Sequence, residues 1–254
     1  MLGGQMDWSE IWKKFPYRVV LEDLPKNDEH EERYGELHPC IKIHASSEES
    51  LKNILERGLK PMGDCPIWPL ELSEEQVRQR FEVLDLGKQG KVKISPEFMK
   101  MMIDNVMECR AGGVYFWDDI YEGTGQGLVT VGYLKEGDPV IFIIDTSEKK
   151  LERDPEIESD RSEEATAMVH KGDIPPEDIQ CVCRLKEELK PSIGSLMCRM
   201  KHTEEECPKI DFENLFEEFN DPSNWICACK KPDIKKEFED KVAKCRLNLR
   251  ELDA

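Results

Sequence analysis

Apolar and polar positions alternate from Cys40 to His44 (Cys-Ile-Lys-Ile-His), the period-two pattern of a half-buried strand. A helix signal follows directly. Ser46 stands as a candidate N-cap with Glu49 three residues on, and Leu51, Ile54, Leu55 and Leu59 make one apolar face at helical spacing. Gly58 is placed to end that helix in a left-handed turn, with Pro61 just beyond. Upstream, a short helix carrying Trp8 and Trp12 leads into a strand at Tyr17 to Leu21 and then an acidic loop. Residues 66–108 read as mainly helical, with helix starts at Ser73 and at Ser95-Pro96. The pattern then turns to β: Gly112 to Trp117, Leu128 to Tyr133, Val140 to Ile144, Ala165 to Val169 and Ile179 to Leu185. The stretch Glu148 to Glu164 is charged and reads as exposed loop. From Lys186 onward the pattern is helical, with apolar faces at Leu215, Phe216 and Phe219 and at Phe238, Val242 and Leu247. The expected fold is α+β: a mostly antiparallel sheet interrupted by a helical insert and followed by a helical tail.

Charge narrows the function classes. Among 254 residues, 36 Lys and Arg against 54 Asp and Glu leave a net charge of -18. That excess argues against a general grip on nucleic acid, where phosphate contacts dominate affinity. No run approaches the roughly 20 apolar residues of a membrane helix, and the N-terminus is too polar for a signal peptide. A cytoplasmic protein with reduced thiols is the expectation.

Two local patterns fail on their chemistry. Asp85 and Gly90 fit an EF-hand loop, but Gly87 and Pro96 stand where oxygen ligands are needed, so the expectation is a helix–loop–helix without calcium. The Gly-rich loop 122–127 lacks the Lys-Ser/Thr and the following helix of a phosphate loop. The cysteines stand at 40, 65, 109, 181, 183, 198, 207, 227, 229 and 245. Cys181/Cys183 and Cys227/Cys229 have C-x-C spacing, a weak zinc signal that His202 and Cys207 could complete. The competing reading is a set of small buried thiols.

The order of motifs resembles the ADP-ribosyltransferase superfamily, in its His-Tyr-Glu branch of poly-ADP-ribose-polymerase-like and diphtheria-toxin-like enzymes. His44-Ala45-Ser46 at a strand end is similar to the His-Gly-Ser/Thr motif, Leu51 to Pro61 to the helix ending in Gly-Leu, and Gly113-Val114-Tyr115-Phe116 to the Gly-Ile/Val-Tyr-Phe strand. Glu163 or Glu164, ahead of the strand at Ala165, stands where the motif Glu is expected. Ile174-Pro-Pro-Glu-Asp-Ile179 is similar to a turn in several of these enzymes and in tRNA 2′-phosphotransferases. Ala45 departs from the usual Gly, and the gap from His44 to Tyr115 is long, which the insert accounts for.

The resemblance implies a split-sheet transferase domain at 39–185 with an insert at 66–108, an N-terminal extension at 1–38 and a Cys-containing helical C-terminal subdomain at 186–254. It implies NAD as substrate, transfer of ADP-ribose to a macromolecular acceptor, and no metal. His44, Ala45, Ser46, Gly113 and Tyr115 would bind NAD, with Tyr115 against the nicotinamide. A carboxylate on the ribose would stabilise the oxocarbenium-like ribose that forms as nicotinamide leaves. Glu164 is favoured for that role because it adjoins the strand, with Glu156, Glu158 and Glu163 as alternatives. Two other readings stand beside it. A tRNA 2′-phosphotransferase would need several Arg residues to hold RNA, whereas Arg110 is the one Arg between positions 81 and 152. A non-enzymatic interaction or zinc module would not need His44, Tyr115 and Glu164 to face one cleft.

Overall fold

The computed structural model describes residues 8–24, 40–61, 113–117, 120, 123–124, 137–153, 167–191, 194, 217–239 and 241. The insert with its EF-hand-like loop, the strand expected at 128–133, most of the Gly-rich loop, and Glu156, Glu158, Glu163, Glu164, His202 and Cys207 lie outside these residues. So do Leu215, Phe216, Val242 and Leu247.

Eight strands form one sheet: β1 (Tyr17–Val20), β2 (Ile41–Ser47), β3 (Val114–Trp117), β4 (Pro139–Asp145), β5 (Glu152–Arg153), β6 (Ala167–His170), β7 (Ile179–Leu185) and β8 (Trp225–Cys229). Their spatial order is β1-β8-β7-β4-β2-β3-β6-β5, and every described pairing is antiparallel. Three helices are described: α1 (Trp8–Lys14), α2 (Glu48–Arg57) and α3 (Ile234–Glu239). The α+β expectation and the mostly antiparallel sheet therefore hold.

Central strand β4 reads as an unbroken apolar run from Val140 to Ile144 because both its faces are covered, and β7 is mostly apolar, broken by Gln180 and Arg184. Period-two alternation sends Val140, Phe142 and Ile144 into the core under α1 and α2, where Ile11, Phe15, Leu51 and Leu55 meet them. Ile141 and Ile143 go to the opposite core, which holds Leu21, Phe219, Ile234 and Phe238.

Two expectations need correction. The helix after His44 begins one residue later than the capping-box spacing suggests. Ser47 is its N-cap without a side-chain capping bond, because Ser46 remains in the strand opposite Val140. More consequentially, Trp225–Cys229 is not part of a helical tail. It is β8, inserted between β1 and β7, so residues on both sides of positions 38 and 186 belong to the same sheet.

The C-x-C pairs are corrected with it. On a strand, C-x-C puts both sulfurs on one face. The antiparallel register then sets Cys181 opposite Cys229 and Cys183 opposite Cys227, and both opposed pairs are disulfides. Cys40 is disulfide-bonded as well, to a partner outside the described residues. The reduced thiols expected at these five positions are thus oxidised. Among the described residues, no cluster of His, Cys, Asp and Glu is arranged to hold a metal ion, and no helix is long and apolar enough to cross a membrane.

Candidate functional site

The strands carrying the three motifs are neighbours: β2 bears His44, β3 bears Tyr115, and β6 begins just after Glu164. Between β2 and β3 the sheet opens. β2 pairs with β4 at all seven of its residues, from Ile41↔Asp145 to Ser47↔Pro139. With β3 it shares a single registered pair, Ile43↔Trp117. Continuing that register would set His44 to Ser47 opposite Phe116 to Gly113, and there the ladder stops. The opening is flanked on one side by His44-Ala45-Ser46 and on the other by Gly113-Val114-Tyr115.

His44 bridges it. Its Nδ1 lies 3.0 Å from the carbonyl oxygen of Tyr115. A carbonyl only accepts, so Nδ1 carries a proton, which in a neutral ring makes Nε2 the acceptor nitrogen. The ring packs edge-on to Phe116 and tilted to Phe142, each with centroids 6.3 Å apart. These two aromatics belong to the core under α1 and α2 and fix the imidazole's side of the sheet.

The side chain of Tyr115 takes the other side. Val114 and Phe116 are buried in the core under α1 and α2, whereas Trp117 packs against the opposite core, and Tyr115 alternates with Trp117. His44 and Tyr115 thus meet through a ring and a backbone carbonyl, with their side chains on opposite faces. A ligand touching both side chains has to pass between β2 and β3. Ala45 is half-buried, and Ser46 is 2% exposed. Gly113 packs closely on β6: a Cβ there would sit 2.1 Å from Val169 Cγ2, so the valine side chain would have to shift.

The two outer motif segments join beside the sheet. Leu59 and Ile174 exchange both backbone hydrogen bonds, at 2.8 and 2.9 Å, tying the Gly-Leu helix end to the Ile-Pro-Pro turn. Gly58 has φ of +76°, and a Cβ on it would fall 2.0 Å from the Ile174 carbonyl oxygen. Its ψ of -171° differs from the left-handed helical turn expected. Lys60 and Asp173 form an ion pair across the same junction.

Glu163 and Glu164 lie outside the described residues, but the entry to β6 is fixed. Ala167 pairs with Trp117, which pairs with Ile43, the residue before His44. One acid went unnoticed in the sequence. Glu152 on β5 pairs with Val169, which pairs with Tyr115, so Glu152 is half-buried on the Tyr115 face two strands away, about 10 Å at ordinary strand spacing. It sat at the start of a charged stretch that reads as loop, and nothing in that stretch marks a strand. A separate cleft of about 500 Å³, lined by Arg18, Val20, Asp23, Pro232 and Asp233 among others, lies at the β1 edge and includes none of the motif residues.

No model of a known protein family matches the chain, and no curated protein matches it significantly.

Proposed function

We propose that the chain is an ADP-ribosyltransferase-type enzyme. It binds NAD in the opening between β2 and β3, releases nicotinamide and passes ADP-ribose to a macromolecular acceptor. The observation that carries this reading is the place where the β2–β3 ladder ends. It ends at the two segments that resemble the family's His and Tyr motifs, and nowhere along the β2–β4 pairing.

The chemistry of the residues agrees with that use. His44, with its proton on Nδ1, offers Nε2 as acceptor to a ribose hydroxyl, which donates. Tyr115 supplies an aromatic face for the nicotinamide. Glu164, three residues before β6 in the sequence, is assigned the carboxylate that stabilises the ribose cation. Glu156, Glu158 and Glu163 remain alternatives, and Glu152 joins them because of its place on the Tyr115 face. Zinc at the C-x-C cysteines is not part of this reading, since those sulfurs are in disulfides. The disulfide bonds at all five described cysteines also suit an oxidising compartment better than the cytoplasm. The acidic excess favours NAD and a protein acceptor over an RNA substrate.

A second reading, a non-enzymatic binding module, draws its support from the opposite-face placement of the His44 and Tyr115 side chains. Ring-nitrogen NMR on histidine-labelled protein separates the two. The transferase reading expects His44 to carry its proton on Nδ1 in the free protein and its Nε2 signal to move saturably as NAD is added. A His44 spectrum unmoved at millimolar NAD, or the Nε2-protonated tautomer, would remove the proposed site.

A further inference from the structure

The two cross-strand disulfides hold the same joint twice. Cys181 and Cys183 occupy alternate positions on β7, and Cys229 and Cys227 face them on β8. All four are fully buried on the face with Leu21, Phe219, Ile234 and Phe238. The bonds close nested loops, with separations of 48 and 44 residues. Closing either one removes the conformational freedom of a long loop from the unfolded chain. Once it is closed, the other spans only the few strand residues between the two pairs, and its further entropic effect is small. Each bond joins a directly opposed pair in the β7–β8 register. β8 in turn carries β1 along its outer edge, from Tyr17↔Cys229 to Val20↔Ile226.

We propose that this pair is a two-step redox lock: two-electron reduction of either disulfide leaves the fold in place, and four-electron reduction frees β8 together with β1. The reductant is a dithiol. Its thiolate attacks one sulfur, forms a mixed disulfide and expels a cysteine thiolate, which takes up a proton. Its second thiol then displaces the other cysteine, leaving the reductant as a disulfide and the protein with two thiols. Because the sulfurs are buried, each attack follows a transient opening of the β7–β8 pair. The lock therefore responds to a sustained reducing environment, not to a brief one.

The test titrates the oxidised full-length chain with dithiothreitol, traps thiols by alkylation and maps them by mass spectrometry. Hydrogen exchange of the Tyr17–Val20 and Trp225–Cys229 peptides is followed in the same samples. Molecules reduced at one cross-strand disulfide are expected to keep native protection in both peptides, and molecules reduced at both to lose it. Loss of protection at the first reduction, or native protection after both, overturns the lock. A second measurement uses paired Ala replacements at Cys181/Cys229, at Cys183/Cys227 and at all four. Each pair is expected to lower the urea midpoint slightly and the fourfold variant by far more than the sum. Strictly additive losses count against the proposal.

Discussion

Asp145, the last residue of β4, shows how one side chain makes the fold sensitive to acid. Burial pushes its carboxyl pKa up. Hydrogen bonds from Lys241 Nζ at 2.6 Å and from the Ser147 backbone N–H at 3.0 Å, with further help from the Ser147 side chain and the Lys241 charge, outweigh that and hold it below the ordinary carboxylate value. A folded-state pKa below the unfolded one stabilises the protein above the unfolded value of about 3.9, and that stability is lost as pH falls toward the folded pKa. Asp145→Asn is therefore expected to cost about 1–3 kcal/mol at neutral pH. Its deficit in urea denaturation should shrink as the pH drops below about 4. A deficit that stays constant down to strongly acidic pH would mean that the carboxylate's charge is not what matters. His44 makes a similar point for the candidate site. The sequence pattern put it at a strand end, whereas it stands mid-strand, with Ala45 to Ser47 continuing β2, and its proton position was not legible at all. That depends on a carbonyl 71 residues away.

At the scale of elements, the junction of α2 with the Ile-Pro-Pro turn rests on Gly58. A side chain there would have to tolerate both a positive φ and a backbone oxygen already in contact. Gly58→Ala is expected to lose at least about 1–3 kcal/mol by chemical denaturation, since strained backbone alone costs that much. A neutral substitution would show that the Leu59–Ile174 bridge yields easily. Which elements could be read from the sequence follows from how each is bounded. The span Ile179–Leu185 was legible to the residue because a mostly apolar stretch follows a Pro-Pro turn. β4 was legible for the same reason, with Asp138-Pro139 before it. β8 was not. Five residues within a charged, helix-patterned region carry too short a signal, and their partners lie on β1 and β7, far away in sequence. The same long-range register turned two C-x-C pairs, weighed as zinc ligands or free thiols, into disulfides. The Gly-Val-Tyr-Phe strand was legible, but which way Tyr115 faces emerged only from its alternation with Trp117 against a core that the sequence does not locate.

For the whole molecule, one eight-stranded sheet gathers segments that the sequence divides into extension, domain and tail. The cross-strand disulfides fasten one side of this sheet, and the opening between β2 and β3 interrupts the other. That arrangement places the proposed NAD site between the fully paired β4–β2 strands and the β3–β6 pair. NAD chemistry at this opening is tested by nicotinamide release from NAD by the purified oxidised protein. Glu164→Gln, Glu152→Gln and Tyr115→Ala are assayed beside it. Measurable release is expected from the parent protein, with a loss of about a hundredfold or more when the assigned carboxylate is neutralised, and a marked loss in Tyr115→Ala. No release by the parent protein, or release unchanged in all three variants, would contradict that chemistry.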